Sequence, residues 1–212
     1  MADMWEGQVY RTKRELITTL IHPTDSVLDV GFWGQAVKKN EDDWPHGILL
    51  THAQEVYGVD RDFDESKLAR LERYQKASAE TFRFSQKFNV VFASELIEHL
   101  FNPGFFLDCA RKHLKDGGRL ILTTPNAFSL FPMLEKFFKD EPSVNPEHTM
   151  YFNKIVITKL LESCGFRVVY TGYLDSFHPS AGLRRLVRPV LAFFSLVTPK
   201  FLETIVVVAE PV

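Results

Sequence analysis

Apolar residues along this chain gather into short, β-branched clusters. They are Val27, Leu28 and Val30; Val56, Tyr57 and Val59; Val90 to Ala93; Leu120 to Leu122; Val168 to Tyr170; and Ile205 to Ala209. Such runs mark strands covered on both faces. They predict strands ending near Val30 and Val59, then Asn89–Ala93, Arg119–Thr124, Phe166–Tyr173 and Thr204–Glu210. Between them the apolar spacing turns helical. Val9, Leu16 and Leu20 predict a helix over Gln8–Ile21, closed by His22-Pro23. A second helix begins late, after Pro45, behind the polar run Lys38–Pro45. E-S-K-L-A-R-L-E-R (Glu65 to Arg73) predicts a charged amphipathic helix. A fourth helix starts near Pro103 and ends before a Gly117-Gly118 turn, and a fifth runs from Asn153 to Cys164 with Gly165 as its stop. Alternating strands and helices predict an α/β fold in three layers, helices on both faces of one sheet. With no internal repeat or low-complexity linker, one domain over 1–212 is the simplest organisation.

Two strand ends carry candidate chemistry. S-V-L-D-V-G-F-W-G (Ser26 to Gly34) stops at Asp29 and turns through Gly31; V-Y-G-V-D (Val56 to Asp60) ends in Asp60. In open α/β sheets ligands bind beyond the carboxyl ends of the strands, where strand order reverses. A glycine there lets backbone approach a ligand, and an acid ending the next strand can take two ribose hydroxyls. Alternatively, Gly31 merely closes a tight turn.

These motifs resemble the start of class I S-adenosylmethionine (SAM) dependent methyltransferases, in which D-x-G-x-G-x-G precedes an acid at the end of strand two. K-F-N-V-V-F-A-S-E-L-I-E-H-L-F-N-P-G and L-K-D-G-G-R-L-I-L-T-T-P-N resemble the fourth- and fifth-strand regions of the subgroup containing ubiquinone-pathway O-methyltransferases. The resemblance spans residues 10 to 173 and the final strand. It implies a Rossmann-like seven-stranded sheet whose last strand is antiparallel, and SAM as cofactor. It implies Asp29 and Gly31 at the methionine end, Asp60 at the ribose and Ser94 beside the ligand, with Phe32 and Arg61 also among the cofactor-binding residues. Ser78, Ala79 and Glu80 stand where the adenine is expected. The chain departs from the pattern at Trp33 and Gln35, which occupy the places of the second and third glycines. A degenerate SAM fold serving as a binding or scaffolding module is therefore a rival expectation.

Glu95, Glu98 and His99 form E-x-x-E-H. At i, i+3 and i+4 on a helical turn they would share one face. A matching motif occurs in ubiquinone-pathway O-methyltransferases and in small-RNA 2′-O-methyltransferases, where it binds a metal. The RNA enzymes add a histidine after strand five, and His148 lies in a comparable segment. Glu95, Glu98, His99 and His148 are accordingly candidate ligands of Mg²⁺. The competing reading makes His99 or His148 a general base in a metal-free site. His46, His52 and His113 read as solvated or capping residues.

Composition narrows the partners. Hydrophobic residues at 45% and a formal net charge of −2 suit a globular protein and argue against a general nucleic-acid binder. The cysteines, Cys109 and Cys164, suit a reducing compartment, and no apolar run reaches the about 18 residues of a membrane span. A cytoplasmic location is expected. Substrate-facing inserts are expected at about 126–150 and 174–203. Within the second, residues 182–198 have a helical apolar stripe with Arg184, Arg185 and Arg188 off it. That stripe either docks on its own domain or touches a membrane or lipidic acceptor. The expected activity is O-methyl transfer to a small-molecule, glycan or lipid-linked acceptor, with metal-dependent RNA 2′-O-methyl transfer as an alternative.

Overall fold

The computed structural model describes residues 7–34, 44–137, 140–141, 145–175 and 199–212. Its centre is one eight-stranded sheet: β1 (Val9–Tyr10), β2 (Ser26–Val30), β3 (Glu55–Asp60), β4 (Tyr74–Lys76), β5 (Phe88–Ser94), β6 (Leu114–Pro125), β7 (Phe166–Leu174) and β8 (Thr204–Pro211). The spatial order is β1-β7-β8-β6-β5-β2-β3-β4. All pairings are parallel except those of β8, which runs antiparallel to both β6 and β7. The expected seven strands and antiparallel last strand are present, with the two-residue β1 added at one edge.

Alternation within the strands sorts the core onto two faces. In β8, Ile205, Val207 and Ala209 join one buried cluster, while Val206 and Val208 join the other. The first cluster is closed by α3 (Pro103–His113) through Phe106, Leu107 and Ala110, and by α5 (Lys154–Ser163) through Ile157 and Leu161. The second is closed by α1 (Lys13–Leu20) through Leu16 and Ile17, and by α2 (Pro45–His52) through Ile48 and Leu49. A short α4 (Leu130–Glu135) follows β6. Since a doubly covered strand must be apolar on both faces, the continuous apolar runs belong in the centre of this sheet.

Three expectations are corrected. The helix over Gln8–Ile21 begins only at Lys13, because Val9 and Tyr10 pair with Tyr173 and Leu174 as β1. Thr12 caps it, accepting the N–H of Glu15. Glu65–Arg73 forms no α-helix but two 3-10 turns, Glu65–Lys67 and Leu71–Arg73, separated by Arg70 in the left-handed region at φ 58°. The stretch has too little apolar surface to dock, and Leu71 is exposed. Gly117-Gly118 does not precede the strand; both residues lie inside the longer β6.

Candidate active site

β2 pairs with β3 on one side and β5 on the other, so the sheet's direction of growth reverses at β2 and β5. A cavity of about 760 Å³ opens beyond the carboxyl ends of these strands. Asp29, Gly31, Phe32, Asp60, Arg61, Ala79 and Ser94 line one part of it, and Glu95, Glu98, His99 and His148 another.

At the first part, Gly31 has φ +80°, and a Cβ there would come within 2.9 Å of a Leu96 methyl. Both facts call for glycine. Its N–H donates to the Val59 carbonyl at 2.7 Å, tying the turn to β3. The next turn residue, Trp33, gives its backbone N–H to Asp60 Oδ2 at 2.9 Å and so orients that carboxylate. The Trp33 indole packs against Phe32, Trp44 and Phe63 rather than lining the cavity. Trp44 in turn donates its indole N–H to the Phe32 carbonyl at 2.7 Å. The aromatic cluster thus holds a turn that lacks the second and third glycines. Gln35 and the polar run from Lys38 lie outside the described residues, as does the stripe at 182–198.

Asp29 is buried, and its Oδ2 lies 3.0 Å from His46 Nδ1. The other ring nitrogen of His46 lies 3.0 Å from the Tyr74 hydroxyl. Burial pushes the Asp29 carboxyl above its ordinary range, against the downward pull of His46. His46 is therefore a buried partner of a site carboxylate, not a solvated residue. His113 is also buried, with Nδ1 bonded to the Cys109 carbonyl and Nε2 accepting the Phe84 N–H. Nδ1–H must donate to the carbonyl and Nε2 must keep its lone pair to accept the N–H, so its tautomer is fixed and its role is packing.

Ser78 and Glu80 do not line the cavity, unlike Ala77 and Ala79. The Glu80 carboxylate accepts the Asn102 backbone N–H at 3.0 Å, ahead of α3, and Ser78 Oγ accepts the Glu80 N–H. Both side chains are occupied with local structure.

The second part of the cavity is built by β6. Glu95 breaks away from β5 in the left-handed region at φ 52°, a conformation costing about 1–2 kcal/mol for a residue with a Cβ. Its N–H is caught by the Thr123 carbonyl and hydroxyl, and that hydroxyl donates to Glu95 Oε1 at 3.0 Å. Glu98 and His99 sit on a single 3-10 turn, Ile97–His99. The three residues of E-x-x-E-H thus converge by a kink and a tight turn, not along an α-helical face. Thr124 donates to Glu98 Oε2 at 3.0 Å, while Glu98 Oε1 is buried with no hydrogen-bond partner. Burial first, then the neighbouring Glu95, pushes the Glu98 carboxyl up to about 8. Burial also raises Glu95, with Lys13 opposing.

His148 is brought in by Thr149, whose N–H and hydroxyl bond to the Glu98 carbonyl. The His99 and His148 rings meet edge to face at 4.7 Å. His99 Nδ1 donates to the Glu147 carbonyl at 3.2 Å, leaving Nε2 as the lone-pair nitrogen of the neutral ring. Burial first, then the charge of His99, lowers the pKa of His148. One ligand atom from each of Glu98, His99 and His148 lies within 4.8 Å of the others. Glu95, committed to Thr123, stands outside that trio.

Lys13, Thr123 and Thr124 were not singled out by sequence. Lys13 lines the cavity from the first residue of α1, and its charge favours the ionised forms of Asp29 and Glu95. The two threonines looked only like strand residues.

A SAM molecule needs a close backbone turn, carboxylates at both polar ends and an apolar slot. Gly31, Asp29, Asp60 and the strip of Val59, Ala77 and Ala79 supply these together, so the residues fit the group. Among the described residues no helix is long and apolar enough to cross a membrane.

Comparison with known proteins identifies the family. A methyltransferase-domain family profile matches residues 45–171. A Mycolicibacterium smegmatis protein described as a probable S-adenosylmethionine-dependent methyltransferase is 32% identical over 146 residues, 66% of this chain and 52% of that protein. The human mitochondrial ubiquinone biosynthesis O-methyltransferase is 35% identical over 100 residues, 47% of this chain and 26% of that protein. The matches thus span about half or less of these relatives' lengths. Among solved structures, the Burkholderia thailandensis 1,6-didemethyltoxoflavin-N1-methyltransferase with bound S-adenosylhomocysteine superposes with a TM-score of 0.58. It is 14% identical, covering 94% of this chain and 76% of that one, and speaks for the fold alone.

Proposed function

The chain belongs to the SAM-dependent methyltransferases of class I, and on that premise we propose that it moves a methyl group from SAM to the oxygen of a hydroxylated acceptor. One observation carries this reading: Glu98, His99 and His148 face the same cavity as Asp29, Gly31, Asp60 and Ser94. In the proposal Asp29 and Lys13 take the ammonium and carboxylate of the methionine end, Asp60 takes the ribose, and Ala77 and Ala79 border the adenine.

The cofactor supplies an activated methyl on a sulfonium, so the protein's part is placement and proton removal. An alcohol must lose its proton as it attacks, and an imidazole near neutral pKa suits that step. His99 Nε2, with its lone pair directed by the Glu147 carbonyl on the opposite nitrogen, receives it. His148, its pKa lowered, stays neutral beside it and can accept a hydrogen bond from the acceptor. Phe101, 74% exposed on the cavity wall, gives an apolar acceptor body something to lie against. A small phenol or lipid-linked hydroxyl fits this chemistry better than a sugar.

The donor trio supports a second reading, that Glu98, His99 and His148 hold a divalent cation. The partnerless Glu98 Oε1 is its own observation. Two imidazoles and one carboxylate suit Mn²⁺ or a later transition ion better than Mg²⁺, which prefers oxygen. Methyl transfer from labelled SAM to a panel of hydroxylated acceptors, with and without chelator, tests both. Turnover unaffected by chelator supports the imidazole base; turnover abolished and restored by Mn²⁺ supports the cation. No transfer to any oxygen acceptor, with transfer to amines instead, overturns the proposal.

A further inference from the structure

Strand register places Asp29 of β2, Gly58 of β3 and Tyr74 of β4 side by side across three neighbouring strands. Side chains at such positions project from one face of the sheet. Gly58 projects nothing, which leaves a trough between the outer two. The Phe32 ring fills that trough at Gly58, and His46, fully buried in the first turn of α2, bridges the two walls. Its Nδ1 reaches Asp29 Oδ2 and its Nε2 reaches Tyr74 Oη, each at 3.0 Å.

An ionised Asp29 and a neutral ring place the protons at both contacts. Asp29 accepts from Nδ1–H, which leaves Nε2 of a neutral ring to accept from the Tyr74 hydroxyl. Burial raises the Tyr74 pKa, which keeps that hydroxyl protonated and able to donate. Among the described residues, His46 is the hydrogen-bond partner of the Asp29 carboxylate. One Asp29 oxygen is thereby fixed, while Asp29 also lines the cavity. Phe32 packs on His46 at a centroid distance of 4.6 Å and Trp44 at 5.2 Å, so the ring cannot swing aside.

We propose that His46, anchored by Tyr74 and backed by Phe32, is a positioning residue that aims the Asp29 carboxylate at the ammonium of the bound cofactor. The proposal rests on the reading above that Asp29 serves the methionine end. An unanchored carboxylate could rotate toward water or the sheet, and a charge-assisted bond depends on direction. The imidazole removes that freedom before the cofactor arrives, so less is lost on binding.

The test compares S-adenosylhomocysteine with 5′-methylthioadenosine, which keeps the nucleoside but lacks the amino-acid end. Both are titrated by calorimetry into the native chain and into Asp29→Asn, His46→Gln and Tyr74→Phe. His46→Gln should weaken S-adenosylhomocysteine by about tenfold and methylthioadenosine by less than about twofold. Tyr74→Phe, which keeps the ring and removes only the anchor, should give the same selectivity at about threefold. The double variant Asp29→Asn/His46→Gln should bind no more weakly than Asp29→Asn. A purely structural role for His46 would weaken both ligands alike, and that result overturns the proposal. So does an unchanged ratio in Tyr74→Phe, which decides the matter if His46→Gln does not fold. If Asp29→Asn itself leaves the ratio unchanged, the assignment of Asp29 to the methionine end is what fails, separately from any result at His46.

Discussion

Gly58→Ala probes the site without touching a polar group. An added Cβ would stand 2.7 and 2.9 Å from two atoms of the Phe32 ring and 2.8 Å from Tyr74 Cδ1. All three separations are well inside carbon–carbon contact, where the optimum is about 3.5–4.0 Å. Neither ring can yield cheaply. Phe32 is wedged among His46, Phe63 and Tyr74 at centroid distances of 4.6, 5.3 and 5.2 Å, and Tyr74 is held by His46. Overpacking of this kind costs about 1–3 kcal/mol. Against it stands a gain of about 0.4–1 kcal/mol, because alanine has less freedom than glycine in the unfolded chain. The net expectation is a loss of about 1–2 kcal/mol in urea denaturation. Movement of Phe32 also drags the Trp33 N–H that orients Asp60, so S-adenosylhomocysteine affinity should fall by about three- to tenfold. Phe32→Leu in the same chain removes the clashing ring edge and should restore part of the stability, making the two changes non-additive. An unfolding midpoint equal to or above that of the native chain would refute the packing argument. So would a double variant whose loss is the sum of the single ones.

Asp60→Ala should weaken S-adenosylhomocysteine binding by about ten- to a hundredfold, since each charge-assisted bond to a ribose hydroxyl is worth about 1.5–3 kcal/mol; calorimetry checks it, and unchanged affinity excludes Asp60 from the ribose. Thr124→Val strands Glu98 Oε2 in a buried site and should cost about 1–3 kcal/mol of unfolding free energy, with Thr124→Ser retaining most of it. His99→Ala should reduce kcat by about a hundredfold or more with little change in the Kd of S-adenosylhomocysteine, measured by labelled transfer and calorimetry in parallel. Burial holds the Asp29 carboxyl above its ordinary 3.8, so the native state keeps a proton the unfolded chain has already lost. Its contribution to stability therefore falls as pH rises above about 4, and the native-minus-Asp29→Asn difference in unfolding free energy should decline over that range; a difference growing with pH refutes the assignment.

What could be read in the sequence is what local pattern encodes. Apolar runs and their turn residues located β2, β3, β5 and β8, and the strand-end acids Asp29 and Asp60 proved to line one cavity. Periodicity failed where apolar surface was scarce: Glu65–Arg73 has helical spacing but little to bury. The spacing of Glu95, Glu98 and His99 implied one shared helical face, with His148 arriving from after strand five; the chain instead gathers Glu98, His99 and His148 with a left-handed residue at Glu95 and a 3-10 turn, and Glu95 stays outside the trio. Spacing predicts neighbours more securely than it predicts the backbone that joins them. Thr123 and Thr124, which hold both glutamates, were silent because a threonine in a strand is ordinary.

The least legible part is the one that distinguishes this chain. Trp33 and Gln35 looked like losses from a glycine-rich turn, and no local signal tied Asp29, at the head of that turn, to His46, Gly58 or Tyr74. Only the register of three strands does so, by setting Asp29, Gly58 and Tyr74 in a row. Of the three glycines of the pattern the turn keeps the first, Gly31, where backbone conformation and the nearby Leu96 both forbid a side chain. Beyond it the constraint changes from conformational freedom to packing. Phe32, Trp33, Trp44 and Phe63 lock the turn as a hydrophobic unit, and the space they require is taken from β3 by a second glycine, Gly58. A turn stiffened this way has little slack, so its tolerance of substitution should track ring volume rather than backbone propensity. Leucine at Phe32 should then be more damaging to the turn than alanine at Gly34, which has no atom closer than 3.6 Å to an added Cβ.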